Sequence, residues 1–128
     1  MTRKSDLRRL NELLKKRRES IEASSKHAGD ELRALKEQER DPEYEESAQT
    51  ELADYTLYHL VENARRELMM IDAAFARMEQ GTYGECVDCG QDIPLLRLEA
   101  LPFAIRCEDD QRQQEEAARG PHAHAPTL

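Results

Sequence analysis

The sequence predicts a mostly α-helical protein, in which a long antiparallel helical hairpin is followed by a small cysteine-bearing module and a final helix. Three observations support this fold class. Two long segments repeat apolar residues at three- and four-residue spacing, one Asp-Pro step separates them, and every cysteine lies in a single later stretch. The composition agrees, because 36% charged and only 5% aromatic residues suit helices that each bury one narrow stripe.

The first helix is predicted over about residues 3–40, a stretch without proline. Its apolar seam follows a heptad rhythm and consists of Leu7, Leu10, Leu14, Ile21, Ala28 and Leu35. Polar residues interrupt this seam at Arg17, Ser24 and Glu31. The pattern predicts one long helix with a partner along its apolar side.

Asp41 and Pro42 predict where the first helix ends and the second begins, because proline cannot continue a helix but fits the first turn of a new one. Asp41 is expected to cap a second helix over about residues 43–80, which Gly81 then ends. Its seam consists of Leu57, Val61, Ala64, Leu68, Ile71, Phe75 and Met78. The short link predicts an antiparallel coiled-coil hairpin with its tip near residues 41–48.

The cysteines have the spacing of a zinc ribbon or treble clef. Cys86 and Cys89 form a C-x2-C pair, Cys107 begins the second half of the pattern, and Asp110 stands where a fourth cysteine would be. Zinc prefers four tetrahedral ligands with thiolates first among them, and it accepts a carboxylate oxygen. The sequence therefore predicts a zinc site made of three cysteines and Asp110.

Two alternatives to this zinc site stay open. The cysteines can act as small buried hydrophobes in a module that folds without metal. Alternatively, His122 or His124 supplies the fourth ligand in place of Asp110. Because C-x2-C spacing with an odd cysteine count is typical of metal ligands, a reducing cytoplasm is expected rather than a disulfide framework.

The chain divides into three predicted parts. Residues 1–80 form the coiled-coil hairpin. Residues 81–119 form a zinc-finger-like module with a short helix near Leu95–Leu101 and a last helix over 107–119. Residues 120–128 have no periodicity and are expected to be disordered.

Charge and motifs exclude several classes of function. The net charge is −8, and residues 41–128 hold nineteen acids against seven Lys and Arg, so sequence-specific nucleic-acid binding is not expected. The basic run Lys15–Arg18 is interpreted as a solvated helix face. No stretch has the length and apolarity of a membrane span, and no signal peptide is recognised, so a cytoplasmic protein is expected. The absence of a phosphate loop or a nucleophile motif argues against an enzyme.

Several segments of the sequence together resemble the DksA/TraR zinc-finger family of bacterial transcription regulators. They are Gly81–Gly90 around the first cysteine pair, Arg97–Pro102 and Cys107, and the resemblance extends from about residue 5 to residue 118. It implies a coiled coil on a globular base that contains a zinc finger. It also implies a monomer that binds RNA polymerase through the secondary channel, modulates initiation and takes part in the stringent response.

The family's coiled-coil tip carries the pattern D-x-x-D-x-A. The equivalent positions here are Glu43, Glu46 and Ala48, so the acidic charges and the small residue are kept. The resemblance implies that these three residues contact the polymerase. Without the family resemblance, Glu43 and Glu46 would be interpreted as acids that complement the positive end of a helix dipole.

The sequence also departs from the family pattern at positions that concern the nucleotide guanosine tetraphosphate. Family members that respond to it use basic residues at positions that correspond here to Met70, Leu101 and Gln111, and none of these is cationic. A polyphosphate site without Lys or Arg lacks its main attraction, so weak or absent potentiation is expected.

Two other functions stay open from the sequence. The tip acids can hold a magnesium ion and promote transcript cleavage or elongation at the same channel. Alternatively, the hairpin is a purely structural coiled coil that docks on another partner or dimerises.

Overall fold

The computed structural model describes residues 4–120. It contains four helices, α1 (Lys4–Gln38), α2 (Ala48–Gln80), α3 (Leu95–Ala100) and α4 (Glu108–Arg119). The described part has no strand beyond a single β-bridge between Glu85 and Asp92. The mostly helical fold, with a long hairpin before a small C-terminal module, is thus confirmed. Except for Gly120, the tail expected to be disordered lies outside the described residues, and so do His122 and His124.

The chain forms two compact units. One unit is Leu14–Asp72, and the other joins the described residues up to Leu13 with those from Ala73 onward. This division differs from a boundary at residue 80, because the ends of both long helices belong to the same unit as the cysteine module. Within that unit the guanidinium of Arg9 in α1 lies 2.6 Å from the carboxylate of Glu99 in α3.

The unit Leu14–Asp72 is an antiparallel helical hairpin that is held by the predicted seam. Leu14, Ala28 and Ile71 are buried there. Six further seam residues are half-buried: Ile21, Leu35, Leu57, Val61, Ala64 and Leu68. Burial of one Leu or Ile side chain contributes roughly 1.5–3 kcal/mol, so this stripe supplies most of the pairing energy.

Ion pairs along the hairpin follow the antiparallel order. Arg17 lies 3.4 Å from Glu67, and Lys36 lies 3.9 Å from Asp54. Arg18 pairs with Asp72 across the hairpin. Each exposed pair is worth at most about 1 kcal/mol, but the pairs of Arg17 and Arg18 partly neutralise the basic run Lys15–Arg18. These pairs favour the interpretation of that run as a solvated helix face.

The second helix begins later than expected. α2 starts at Ala48 rather than near residue 43, so the prediction that Asp41 caps it is wrong. The Asp41 carboxylate instead accepts the amide hydrogen of Glu43 at 2.9 Å and closes a local turn. Ser47 is the cap, since its hydroxyl accepts the amide hydrogen of Thr50 at 3.2 Å. Asp41 and Ser47 both have side chains that can cap a helix, but the Asp41 carboxylate is already engaged in the turn with Glu43.

α2 ends at Gln80, as Gly81 predicted. Gly81 has φ 78°, its amide donates to the Met78 carbonyl at 3.2 Å, and the Thr82 amide donates to the Arg77 carbonyl at 3.0 Å. This pair of bonds is a Schellman motif, in which the left-handed residue satisfies the last free carbonyls. Among residues 4–120, no helix is both long and apolar enough to cross a membrane.

Candidate functional site

A tight turn, called the knuckle here and defined as residues 84–90, presents Cys86 and Cys89. Its two glycines, Gly84 and Gly90, have φ of 86° and 75°, which suits residues without a Cβ. The Gly90 amide donates to the Cys86 carbonyl at 2.9 Å, and the Cys86 amide donates to the Gln91 carbonyl at 2.8 Å. Backbone geometry therefore places the two thiols on one side of the turn.

The start of α4 presents the other two side chains. Cys107 is the N-cap residue, and Asp110 follows one turn later, so both lie on the same helix face. The knuckle is tied to the segment before α4 by two bonds. The Val87 amide donates to the Ile105 carbonyl at 2.9 Å, and the Arg106 guanidinium donates to Asp88 at 2.7 Å.

These elements bring the four predicted ligands together. One ligand atom from each of Cys86, Cys89, Cys107 and Asp110 lies within 4.8 Å of all the others. Asp110 Oδ2 is 3.0 Å from Cys86 Sγ and 3.2 Å from Cys107 Sγ. In tetrahedral zinc sites, bond lengths near 2.3 Å to sulfur and 2.1 Å to oxygen put neighbouring ligand atoms about 3.5–3.8 Å apart. Small side-chain rotations would therefore seat a zinc ion, and the donor set fits this metal.

The electrostatics of the cluster also suit a cation. Hydrogen bonds from Cys86, then Cys89 and Cys107, hold the pKa of Asp110 below its usual value. Burial and the Asp110 carboxylate oppose ionisation of Cys86, but backbone amides that donate to its sulfur outweigh them and lower its pKa.

The other two thiols retain their protons more strongly. The Gln91 amide lowers the pKa of Cys89, but the Asp110 carboxylate, burial and the neighbouring thiols together raise it to about 12. The pKa of Cys107 is also raised: the Asp110 amide lowers it, but the Asp110 carboxylate, burial and the Cys86 thiol together outweigh that amide. Metal binding would displace these protons, since thiolates are the form that binds zinc.

The predicted polymerase-contacting residues lie where the two long helices connect. Glu43 and Glu46 lie in the connection, and Ala48 is the first residue of α2. All three are exposed. Because α2 starts at Ala48, the two glutamates precede the helix and do not belong to its first turn.

The connection and the start of α2 together form an acidic cluster that the sequence analysis missed. Carboxylate oxygens of Glu39, Glu46 and Asp54 lie within 4.8 Å of one another. The Lys36 ammonium is 3.7 Å from Glu39 and 3.9 Å from Asp54, so a protein cation already faces these acids. The signal in the sequence was an aspartate at a seam position of α2, which becomes meaningful only when the helices pair.

The three positions that the resemblance implies for nucleotide-binding basic residues also lie in the described part of the chain. Met70 is 42% exposed and Leu101 is 37% exposed, and Gln111 is half-buried. Two of the three thus present apolar atoms to solvent.

Comparison with known proteins identifies the module. Residues 81–115 match the family model of the prokaryotic dksA/traR C4-type zinc finger. This range contains all three cysteines and Asp110, which occupies the fourth place of a pattern named for four cysteines.

Two curated relatives match shorter parts of the chain. An RNA polymerase-binding transcription factor DksA from Caulobacter vibrioides is 40% identical over 55 residues, which are 43% of this chain and 39% of that protein. General stress protein 16O from Bacillus subtilis is 40% identical over 57 residues, which are 44% of this chain and 35% of that protein. The chain therefore matches well under half the length of these relatives.

Two solved structures match over most of the chain. Transcription factor DksA2 from Pseudomonas aeruginosa is 29% identical with a TM-score of 0.77, over 92% of this chain and 89% of that one. The DnaK suppressor protein from Agrobacterium tumefaciens is 29% identical with a TM-score of 0.51, over 84% of this chain and 92% of that one. The resemblance to the DksA/TraR family is confirmed, by sequence in the zinc-finger module and by fold over most of the chain.

Proposed function

We propose that this DksA/TraR-type chain binds bacterial RNA polymerase and regulates transcription without catalysing a reaction itself. The contact is made through the secondary channel by the hairpin connection, with Glu43, Glu46 and Ala48 as the contacting residues. Binding shifts the polymerase between conformations and thereby changes the lifetime of initiation complexes. The protein acts as a monomer in the cytoplasm, where its partner is found.

One observation carries this proposal: a chain with the DksA fold exposes two carboxylates and a small residue at the place where its family carries an acidic tip. The Caulobacter relative is an RNA polymerase-binding transcription factor, which supports the choice of partner. Neither glutamate is needed to cap α2, because Ser47 supplies the cap.

The first test is co-purification of the tagged chain with RNA polymerase, followed by transcription from a promoter that is sensitive to initiation-complex lifetime. Glu46→Gln removes one charge from an exposed side chain and keeps its shape. We expect it to raise the concentration that gives half the effect by roughly tenfold or more, with unchanged thermal stability.

The matched control is Glu19→Gln, an identical change at an exposed residue of α1. It is expected to leave both polymerase binding and the transcription effect at the wild-type level. Equal losses for the two variants would mean that net charge matters and the connection does not. Failure of the wild-type chain to co-purify with polymerase would refute the proposed partner.

A second candidate function is transcript cleavage or elongation at the same channel, and the acidic cluster of Glu39, Glu46 and Asp54 is the observation that favours it. Carboxylates this close can hold a magnesium ion, although the nearby Lys36 ammonium opposes a second cation. Assays on backtracked complexes separate the two functions, because only a cleavage factor shortens the transcript. We expect no cleavage.

A further inference from the structure

α4 (Glu108–Arg119) is an exposed helix that contributes no buried side chain to its unit. None of its twelve residues is buried, and residues 112–119 are all exposed. Isolated helices of this length are marginal in water, so packing elsewhere normally stabilises them. The charge pattern adds only a little, through the contacts of Arg112 with Glu108 at 3.7 Å and with Asp109 at 3.8 Å.

The link between α4 and the knuckle runs through the metal ligands. Cys107 is the N-cap of α4, and Asp110 in its first turn reaches Cys86 at 3.0 Å. A zinc ion bound by these residues would join the helix start to the knuckle through coordinate bonds. Binding of such an ion contributes directly to the folding free energy of the segment that it ties down.

The identity of the four donor atoms determines how tightly the zinc ion is bound. Thiolate and carboxylate carry the same charge, so replacing a fourth cysteine by Asp110 leaves the total ligand charge unchanged and alters only the donor atom. Zinc prefers thiolate in structural sites, so the oxygen ligand binds less firmly. Solvent also reaches the site, because Cys89 is exposed and Asp110 is only half-buried.

We propose that zinc controls the order of α4 and that Asp110 makes this control reversible. The chain then exchanges zinc at free-zinc concentrations at which a four-cysteine site stays filled. α4 is ordered when the ion is bound and loses its helical structure when the ion leaves. This inference rests on the zinc site and does not require polymerase binding.

Zinc affinity is measured by competition with a chromophoric chelator, on the full chain and on variants. Asp110→Cys, which completes a four-thiolate site, is expected to bind zinc roughly 10- to 100-fold more tightly than wild type. Asp110→Asn keeps the shape but removes the charged oxygen, and it is expected to bind zinc more weakly by a similar factor. Cobalt substitution provides a second readout, because tetrahedral thiolate coordination gives characteristic visible absorption bands.

The matched control is Asp109→Asn, which makes the same charge change one residue earlier. The Asp109 side chain is 83% exposed. The zinc affinity of the Asp109→Asn variant should therefore equal that of wild type. Equal affinities for wild type and Asp110→Cys would overturn the assignment of Asp110 as the labile ligand. An unchanged affinity for Asp110→Asn would overturn it as well, and this isosteric variant does not depend on a new cysteine folding correctly.

Hydrogen exchange tests the second half of the proposal. Amides 112–119 are expected to lose protection when chelator removes zinc, whereas the hairpin amides of Leu14–Asp72 keep theirs. The same protection of α4 with and without zinc would overturn the control of α4 by the ion. None of these measurements involves polymerase. A negative result would therefore refute the zinc proposal without affecting the proposed polymerase binding, and a chain that failed to bind polymerase could still show the zinc effect.

Discussion

At the residue scale, Tyr83 connects the end of α2 to the segment that follows α3. Its side chain is 7% exposed, and its hydroxyl donates to the Pro102 carbonyl at 2.7 Å. Tyr83→Phe keeps the ring and removes this bond, leaving the carbonyl without its donor. We expect a loss of about 1 kcal/mol in the free energy of unfolding near neutral pH, measured by urea denaturation.

The same residue predicts a pH dependence. Burial raises the pKa of Tyr83 to about 12, above its usual value of 10.0, even though Arg77 nearby lowers it. Its folded state therefore holds the proton more tightly than the unfolded state. The stability that Tyr83 contributes is complete below the unfolded pKa and is lost as the pH rises from there toward the folded pKa.

Comparison of wild type with Tyr83→Phe isolates the contribution of the Tyr83 hydroxyl to the pH dependence of stability. The stability difference between wild type and Tyr83→Phe should be largest near about pH 8 and should narrow by about pH 11, because phenylalanine cannot ionise. A difference that stays constant between these two pH values would show that the hydroxyl is not desolvated in the folded state.

At the scale of the element, the start of α2 is decided by Ser47. Its hydroxyl accepts the Thr50 amide hydrogen at 3.2 Å and lies 2.9 Å from the Thr50 hydroxyl. Ser47→Ala removes the cap and is expected to lower the free energy of unfolding by about 1 kcal/mol in thermal or urea denaturation.

Two further variants make this test specific. Ser24→Ala changes the same residue type at an exposed position inside α1, where alanine is the better helix former, so it should be neutral or slightly stabilising. Asp41→Ala would cost more than Ser47→Ala if the helix began at Pro42 in solution. We expect the reverse order.

At the scale of the whole molecule, the distribution of charge determines which ligands suit the chain. The net charge is −8, and Met70, Leu101 and Gln111, the positions that the family resemblance implies for nucleotide-binding basic residues, carry no positive charge. None attracts a polyphosphate, so we expect that guanosine tetraphosphate does not enhance the effect of this protein on transcription.

The measurement is transcription from a ribosomal promoter with the chain, with the nucleotide and with both. If the protein acts independently of the nucleotide, their separate effects on transcription should combine without synergy. Strong synergy would contradict the prediction and would require cationic contacts from other residues. Met70→Arg provides a gain-of-function comparison, because it introduces a guanidinium at an exposed position.

The sequence by itself predicted the two long helices, their apolar seam and the four side chains that cluster in the module. Heptad spacing predicts paired helices because only an apolar stripe on one face can be buried between them, and Leu14, Ala28 and Ile71 are buried as expected. Gly81 predicted the end of α2, since its left-handed conformation suits glycine best. The C-x2-C spacing of Cys86 and Cys89, matched by Cys107 and Asp110, predicted the cluster, and a helical turn puts Cys107 and Asp110 on one face of α4.

Only the tertiary structure decided the rest. The choice between Asp41 and Ser47 as the cap of α2 depended on which side chain the connection used for its own turn. The proximity of Asp54 to Glu46, and the presence of Lys36 beside them, arose only when two distant helices paired. Local patterns report the preferences of the backbone, whereas contacts between residues far apart in the chain depend on how the helices pack.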